Sequence, residues 1–200
     1  EDCDRAIAAL CEAFQVNNSP VKNHLVSNTV DTPPVRGAAL DIKQARLAIR
    51  HVPDRPGMAA KIFTLLADRN VSVDMIIQSQ RCRLLDGTAT RDIAFTVALT
   101  DADDAQAALQ QAAAEMGYGE IMVDRSIAKV SVVGTGMVGK PGVAAKMFDA
   151  LAKEKINIQM IATSEIKISC VVSEEDGVRA LQAVHAAFSL SGTEKIVVPA

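Results

Sequence analysis

Residues 54–79 read DRPGMAAKIFTLLADRNVSVDMIIQS, and residues 140–164 read KPGVAAKMFDALAKEKINIQMIATS. Aligned at a constant offset of 85, residues 55–79 meet 140–164 with 11 of 25 positions identical: Pro56, Gly57, Ala59, Ala60, Lys61, Phe63, Leu66, Ala67, Met75, Ile76 and Ser79 each meet their own kind. A repeat of this length marks two copies of one supersecondary unit. Further on, AALQ at 107–110 meets RALQ at 179–182, an offset of 72. That match implies 13 surplus residues in the first copy. They fall on the polar stretch QRCRLLDGTATRD (80–92), where a hairpin loop grows at little thermodynamic cost.

Within each copy the hydrophobic period alternates between that of strands and that of helices. ARLAIRHV (45–52) is a strand, and the segment opened by Pro56 is a helix with proline in its first turn. VSVDMIIQ (71–78) and IAFTVAL (93–99) are strands, DADDAQAALQQAAAEM (101–116) is a helix with Asp101 as its cap, and GEIMVD (119–124) is a closing strand. The second copy repeats the order with AKVSVVG (128–134), a helix from Pro141 to about Lys155, INIQMIA (156–162), IKISCVV (166–172), a helix from about Glu174 to Phe188, and KIVV (195–198). The order β-α-β-β-α-β, read twice, is an α+β fold of two ferredoxin-like modules. Each is an antiparallel sheet with two helices on one face. The other sheet face needs cover, so the modules are expected to pack as a pair.

A third trace lies at the start. EDCDRAIAALCEAF (1–14) matches EDGVRALQAVHAAF (175–188) at seven of 14 positions. Residues 1–16 therefore read as the last helix of a preceding module, and 17–34 as a linker rich in Asn, Ser, Thr and Pro. Residues 35–44 supply one further strand, VRGAALD, ahead of module A at 45–125 and module B at 126–200. The chain opens without Met and without a signal peptide, so it is expected to be a piece of a longer protein.

Composition narrows the function classes. Hydrophobic residues make up 49% and charged residues 22% of 200, as in globular chains, with aromatics at only 3%. A formal charge of −3 offers no basic footprint for nucleic acid, and no apolar run is long enough to span a bilayer. The four cysteines form no C-x-x-C pair, which suits reduced thiols in a cytoplasmic protein.

No catalytic or metal-binding constellation emerges: His24, His51 and His185 lie in different elements, and Lys61 and Lys146 sit at matching, solvated helix positions. GTGMVG (134–139) fits a dinucleotide fingerprint, but the corresponding stretch of the first copy is RHVPDR and the chain lacks a doubly wound order. Those glycines are expected to permit close approach of a ligand or another chain. The strand-to-helix loop is the place of interest in both copies. Amides of Gly57, Met58 and Ala59 at a helix N-terminus suit a carboxylate, and Asp54 and Asp74 suit an ammonium group. Spacing leaves a second reading open, with Asp54 a helix cap and Asp74 a solvated strand residue. Asp74, Ser72 and Gln78 are matched by Gln159, Asn157 and Thr163, so two such sites are not equivalent.

D-R-P-G with V-S-V-D-M-I-I-Q, then K-P-G-V-A-A-K with I-N-I-Q-M-I-A-T-S-E-I-K-I-S, resembles the tandem ACT domains of an aspartate kinase, over residues 35–200. The leading helix and linker resemble the cyanobacterial type with four ACT domains. The resemblance implies a regulatory region that binds lysine or threonine, or both, where modules meet, and inhibits an attached kinase that uses ATP and Mg. It implies that the strand in 35–44 joins the second module's sheet, and that the effector contacts are Asp54, Met58, Ala59, Asp74, Gln78, Asn157 and Ile158, with Ser164 in a segment linked to inhibition. Gly57 joins these expected effector-binding residues through its helix-tip amide, and a homodimer through the modules is expected. Ala144 departs from related chains, which have Thr there. Nothing matches a kinase domain, so the fragment is expected to be catalytically silent, without a cofactor of its own. A dimerisation scaffold with no ligand is the alternative.

Overall fold

The Pro-Gly pair that heads each repeat is a turn. A computed structural model describes residues 33–190 of the chain. The expected leading helix, residues 17–32 of the linker and the strand KIVV lie outside the described residues. Arg55 to Met58 form a type II turn: Pro56 presets its corner, Gly57 takes φ 89° and ψ −11°, and the Met58 amide donates to Arg55 O at 3.4 Å. Gly142 repeats this with φ 94° and ψ −8°. Helix α1 (Met58–Ala67) starts after that turn. Pro56 therefore lies before the helix rather than in its first turn.

Both repeat helices also stop alike. Asn70 has φ 57°, its amide donates to Ala67 O at 2.8 Å, and the Val71 amide donates to Leu66 O at 3.0 Å, the two bonds of a Schellman motif. In the second copy Lys155 has φ 58°, with Lys155 N–H to Ala152 O at 2.9 Å and Ile156 N–H to Leu151 O at 3.0 Å. Val71 and Ile156 thus bury their side chains to seal helix ends. The strands expected from these residues begin later, as β3 (Val73–Gln78) and β8 (Met160–Thr163).

In module A, β2 (Gln44–Pro53) is central, paired antiparallel with β5 (Thr88–Ala98) and β6 (Ile121–Asp124), and β3 lies beyond β5. Helix α2 (Ala102–Met116) joins β5 to β6. Asp101 does not cap α2 with its side chain: a 3₁₀ turn at Leu99–Asp101 leads in, and Thr100 Oγ1 donates to the Asp101 carboxylate instead. In module B, β7 (Ile127–Val133) pairs with β9 (Lys167–Ser173), and β9 with β8, while α3 (Val143–Lys153) and α4 (Gly177–Ala187) complete the unit. The strand β1 (Gly37–Asp41) pairs antiparallel with β7, in the sheet of module B. It stands there where β6 stands in module A.

The residues expected as a grown loop form a hairpin. β4 (Arg83–Leu85) pairs with the lengthened β5 across Asp86 (φ 48°) and Gly87 (φ 78°), a type I′ turn. The surplus is also smaller than the AALQ match implies. Leu99 N–H donates to Lys43 O as Glu174 N–H donates to Ser126 O, and the following helices start at Ala102 and Gly177, an offset of 75. The first copy is therefore longer by ten residues between β3 and β5, and AALQ against RALQ is a slip of about one helical turn.

Each module has its own core between helices and sheet. Leu47, Ile49, Ile62, Leu66, Phe95 and Leu109 centre the first, with Phe63 and Phe95 edge-to-face at 5.5 Å. Val130, Val132, Met147, Leu151, Cys170 and Val184 centre the second. Burial drives the Cys170 thiol up to about 12, so it stays protonated. The opposite sheet faces meet in a third cluster of Met75, Ile127, Met160 and Val171. Met75 and Met160 are repeat partners, so the two modules back onto each other with matching residues. A lattice of ion pairs edges this seam: Lys129 reaches Asp74 of the other module and Asp41 at 3.4 Å, and Lys167 lies 4.0 Å from Asp74. Two glycines of GTGMVG serve packing, a Cβ on Gly134 meeting Pro34 O at 2.1 Å and one on Gly136 meeting Pro34 Cα at 3.0 Å, while Gly139 takes φ 70° with nothing close to it. The close neighbour of the first two is the chain's own segment 33–35.

Candidate functional site

The first strand-to-helix loop opens a cleft of about 400 Å³ lined by Asp54, Pro56, Gly57, Met58, Ala59, Gln78, Arg91 and Ile93, among others. A β-bulge shapes it. Arg50 and His51 together oppose Asp92, since the register steps from Ile49↔Ile93 to Val52↔Arg91. Asp92 holds the bulge by accepting from the His51 amide at 3.0 Å and from Arg50 Nη1 at 3.1 Å. Burial raises the Asp92 pKa, but those two donors outweigh it and leave the carboxyl below its ordinary value. The bulge sets Arg91 beside the loop, where Asp54 N–H donates to Ala89 O at 2.8 Å.

Helix α1 points its unsatisfied end at this cleft. Its first hydrogen bond runs from Lys61 N–H to Gly57 O, the Ala59 and Ala60 amides donate to no carbonyl one turn earlier, and no side chain caps the helix. Gly57 and Ala59 are exposed, while the Met58 side chain is buried in the core and its amide, expected to be open to a carboxylate, already donates to Arg55 O across the turn. Asp54 accepts from Arg91 Nε at 2.7 Å, and Arg91 Nη1 donates to Ser79 O at 3.3 Å and Gln80 O at 2.9 Å. The carboxylate that sequence offers to an ammonium group is thus already paired. Arg91 itself escapes sequence reading because its partner lies 37 residues away.

The second copy carries a cleft of about 300 Å³ at the equivalent loop, lined by Gly142, Val143, Ala144, Thr163, Ser164, Glu165 and Ile168 among others. Ala144 stands there at the position of Ala59. The repeat offsets put Gly139 in place of Asp54 and Ile166 in place of Arg91, so this cleft lacks the ion pair. Five of the nine expected contacts (Asp54, Gly57, Met58, Ala59 and Gln78) share the first cleft, and Ser164 lines the second. Asp74 lies at the inter-module seam, paired with Lys129. Ile158 packs against the core of module B, and Asn157 is exposed beside it. Among the described residues no cluster of His, Cys, Asp and Glu is able to hold a metal, and no helix is long and apolar enough to cross a membrane.

The family described as ACT domain matches this chain twice, at residues 46–115 and 130–188. The aspartate kinase Ask_LysC of Stutzerimonas stutzeri is 48% identical over 162 residues, covering 81% of this chain. The chain spans 38% of the length of that relative. Among solved structures, the aspartate kinase from Synechocystis superposes with TM-score 0.85 at 60% identity, covering 100% of this chain and 33% of that one. The regulatory subunit of aspartate kinase from Thermus thermophilus, in ligand-free form, gives TM-score 0.71 at 45% identity, covering 78% of this chain and 99% of that one. E. coli aspartokinase III in complex with lysine and aspartate gives TM-score 0.62 at 26% identity, covering 80% of this chain and 34% of that one.

Proposed function

From a chain that belongs to the ACT-domain family, in the tandem form of aspartate kinase regulatory regions, we infer an amino-acid sensor that binds lysine or threonine, or both, and feeds back on an attached kinase. The observation that carries this reading is the first cleft, where uncapped amides of α1 and the Asp54–Arg91 pair lie within one cavity. An α-amino acid is a zwitterion, and such a cleft offers donors to its carboxylate and an acceptor to its ammonium. That the related E. coli enzyme is described in complex with lysine supports the choice of effector.

The proposed contacts in the cleft are Asp54, Gly57, Met58, Ala59 and Gln78. Ser164 is proposed to contact an effector in the second cleft, and Asp74, Asn157 and Ile158 to act where modules meet, with a homodimer as the proposed assembly. The kinase domain of the same protein is the proposed partner, with ATP and Mg belonging to it, in the cytoplasm. Feedback requires that the effector bind two arrangements of the whole protein unequally, typically by about 1–3 kcal/mol. Calorimetric titration of the chain with each of the twenty amino acids tests the reading. Heat from lysine or threonine supports it, and no heat from either, alone or mixed, counts against it.

One observation favours the scaffold as a second role. Ile76 and Ile161, repeat partners on the edge strands β3 and β8, are 52% and 42% exposed. Apolar edges of this kind suit pairing with another copy. Changing both to lysine separates the roles: monomers that still bind amino acid leave the sensor intact.

A further inference from the structure

We propose that Arg91 determines the specificity of the first cleft, by taking the carboxylate of the amino acid while Asp54 turns to its ammonium. The inference rests on the sensor reading above and deepens it. Arg91 is built to present a guanidinium rather than to float. Two backbone carbonyls, Ser79 O and Gln80 O, accept from Nη1, and Asp54 accepts from Nε. No hydrogen bond among the described residues falls on Nη2. A guanidinium that two carbonyls still hold when Asp54 turns away, with Nη2 free and its side chain lining an open cleft, is a preorganised receptor for a carboxylate.

The Asp54–Arg91 pair also mimics what it would bind. A carboxylate and a cation lie side by side, as the two ends of a zwitterion would when each meets its opposite. An entering amino acid exchanges one ion pair for two, without leaving either protein charge uncompensated. The second cleft has Gly139 and Ile166 at these positions and lacks the exchange. The charged lining of the second cleft is Lys140 and Glu165 instead, so the two clefts are expected to discriminate differently.

The test compares amino acids with their carboxamides, which keep the ammonium and lose the anionic charge. Lysine, threonine, lysinamide and threoninamide are titrated calorimetrically into the 200-residue chain and into Arg91→Ala, with thermal unfolding of both as a control. The expected result is about a tenfold or larger loss for the amino acid that binds, with its carboxamide changed less than about twofold. The preference for acid over amide then collapses in the variant. Equal weakening of both ligands, unchanged affinity, or tighter binding in the variant overturns the inference while leaving the sensor standing. If Arg91→Ala does not fold, Arg91→Gln keeps a neutral donor at the position of Nε, beside Asp54, and carries the same expectation. A wild-type chain that binds none of the four ligands overturns the sensor and this inference together.

Discussion

Gly57 and Gly142 answer at the residue scale why the repeat keeps its Pro-Gly. Each needs φ near +90°, where an L side chain is strained, and neither has an atom within 4 Å of a notional Cβ. Gly57→Ala and Gly142→Ala therefore report backbone strain without a clash. Each is expected to lose about 1–2 kcal/mol in urea unfolding, and a neutral result would contradict the turn. Asp92 gives a pH-dependent counterpart. Its folded pKa is lowered, so its stabilisation is fully present above the unfolded value near 3.8 and is lost as pH falls through the folded one. With partial solvent screening, Asp92→Asn is expected to cost about 0.5–1 kcal/mol at pH 7, a cost that shrinks as pH falls below 3.8, by urea unfolding at a series of pH values. A gap that widens on acidification would contradict the assignment. The proline, the glycine and the helix tip were legible as one loop because they are neighbours in sequence. Arg91 was not, because a strand bulge and a hairpin are what bring it to Asp54.

At the scale of elements, period and repeat located every strand of the two sheets except β4. The missed strand had a signal in sequence: Asp86-Gly87 between Leu85 and Thr88 supplies the two left-handed positions of a type I′ turn. Strand starts at Val71 and Ile156 were misplaced because a sealed helix end needs an apolar residue as much as a strand does. The surplus was overcounted because alanine-rich helices match themselves one turn out of step. β4 is an appendage, with Leu84 78% exposed. Gly87→Val is therefore expected to strip hydrogen-exchange protection from residues 83–90 while global stability moves by no more than about 0.5 kcal/mol. By contrast Phe95→Ala, at the centre of the first core, is expected to cost about 3–5 kcal/mol in the same unfolding assay. A hairpin variant as damaging as the core variant would mean that β4 belongs to the fold proper.

For the whole molecule, the repeat specified two like modules, and their backing faces meet through Met75 and Met160. What repetition alone leaves open is how the copies differ. Asp74 and Gln159 illustrate it: one anchors the ion pairs of the seam, and the other buries a side-chain oxygen that accepts no hydrogen bond. The clefts diverge in the same way, one with Asp54 and Arg91, the other with Gly139 and Ile166 at those positions. The most direct measurement is the amide spectrum of the ¹⁵N-labelled chain during titration with lysine and with threonine. Saturable shifts centred on Gly57, Met58, Ala59 and Gln78 are predicted. Saturation that leaves those four amides in place while others move would contradict the site, and a spectrum unmoved by either amino acid would contradict the sensor.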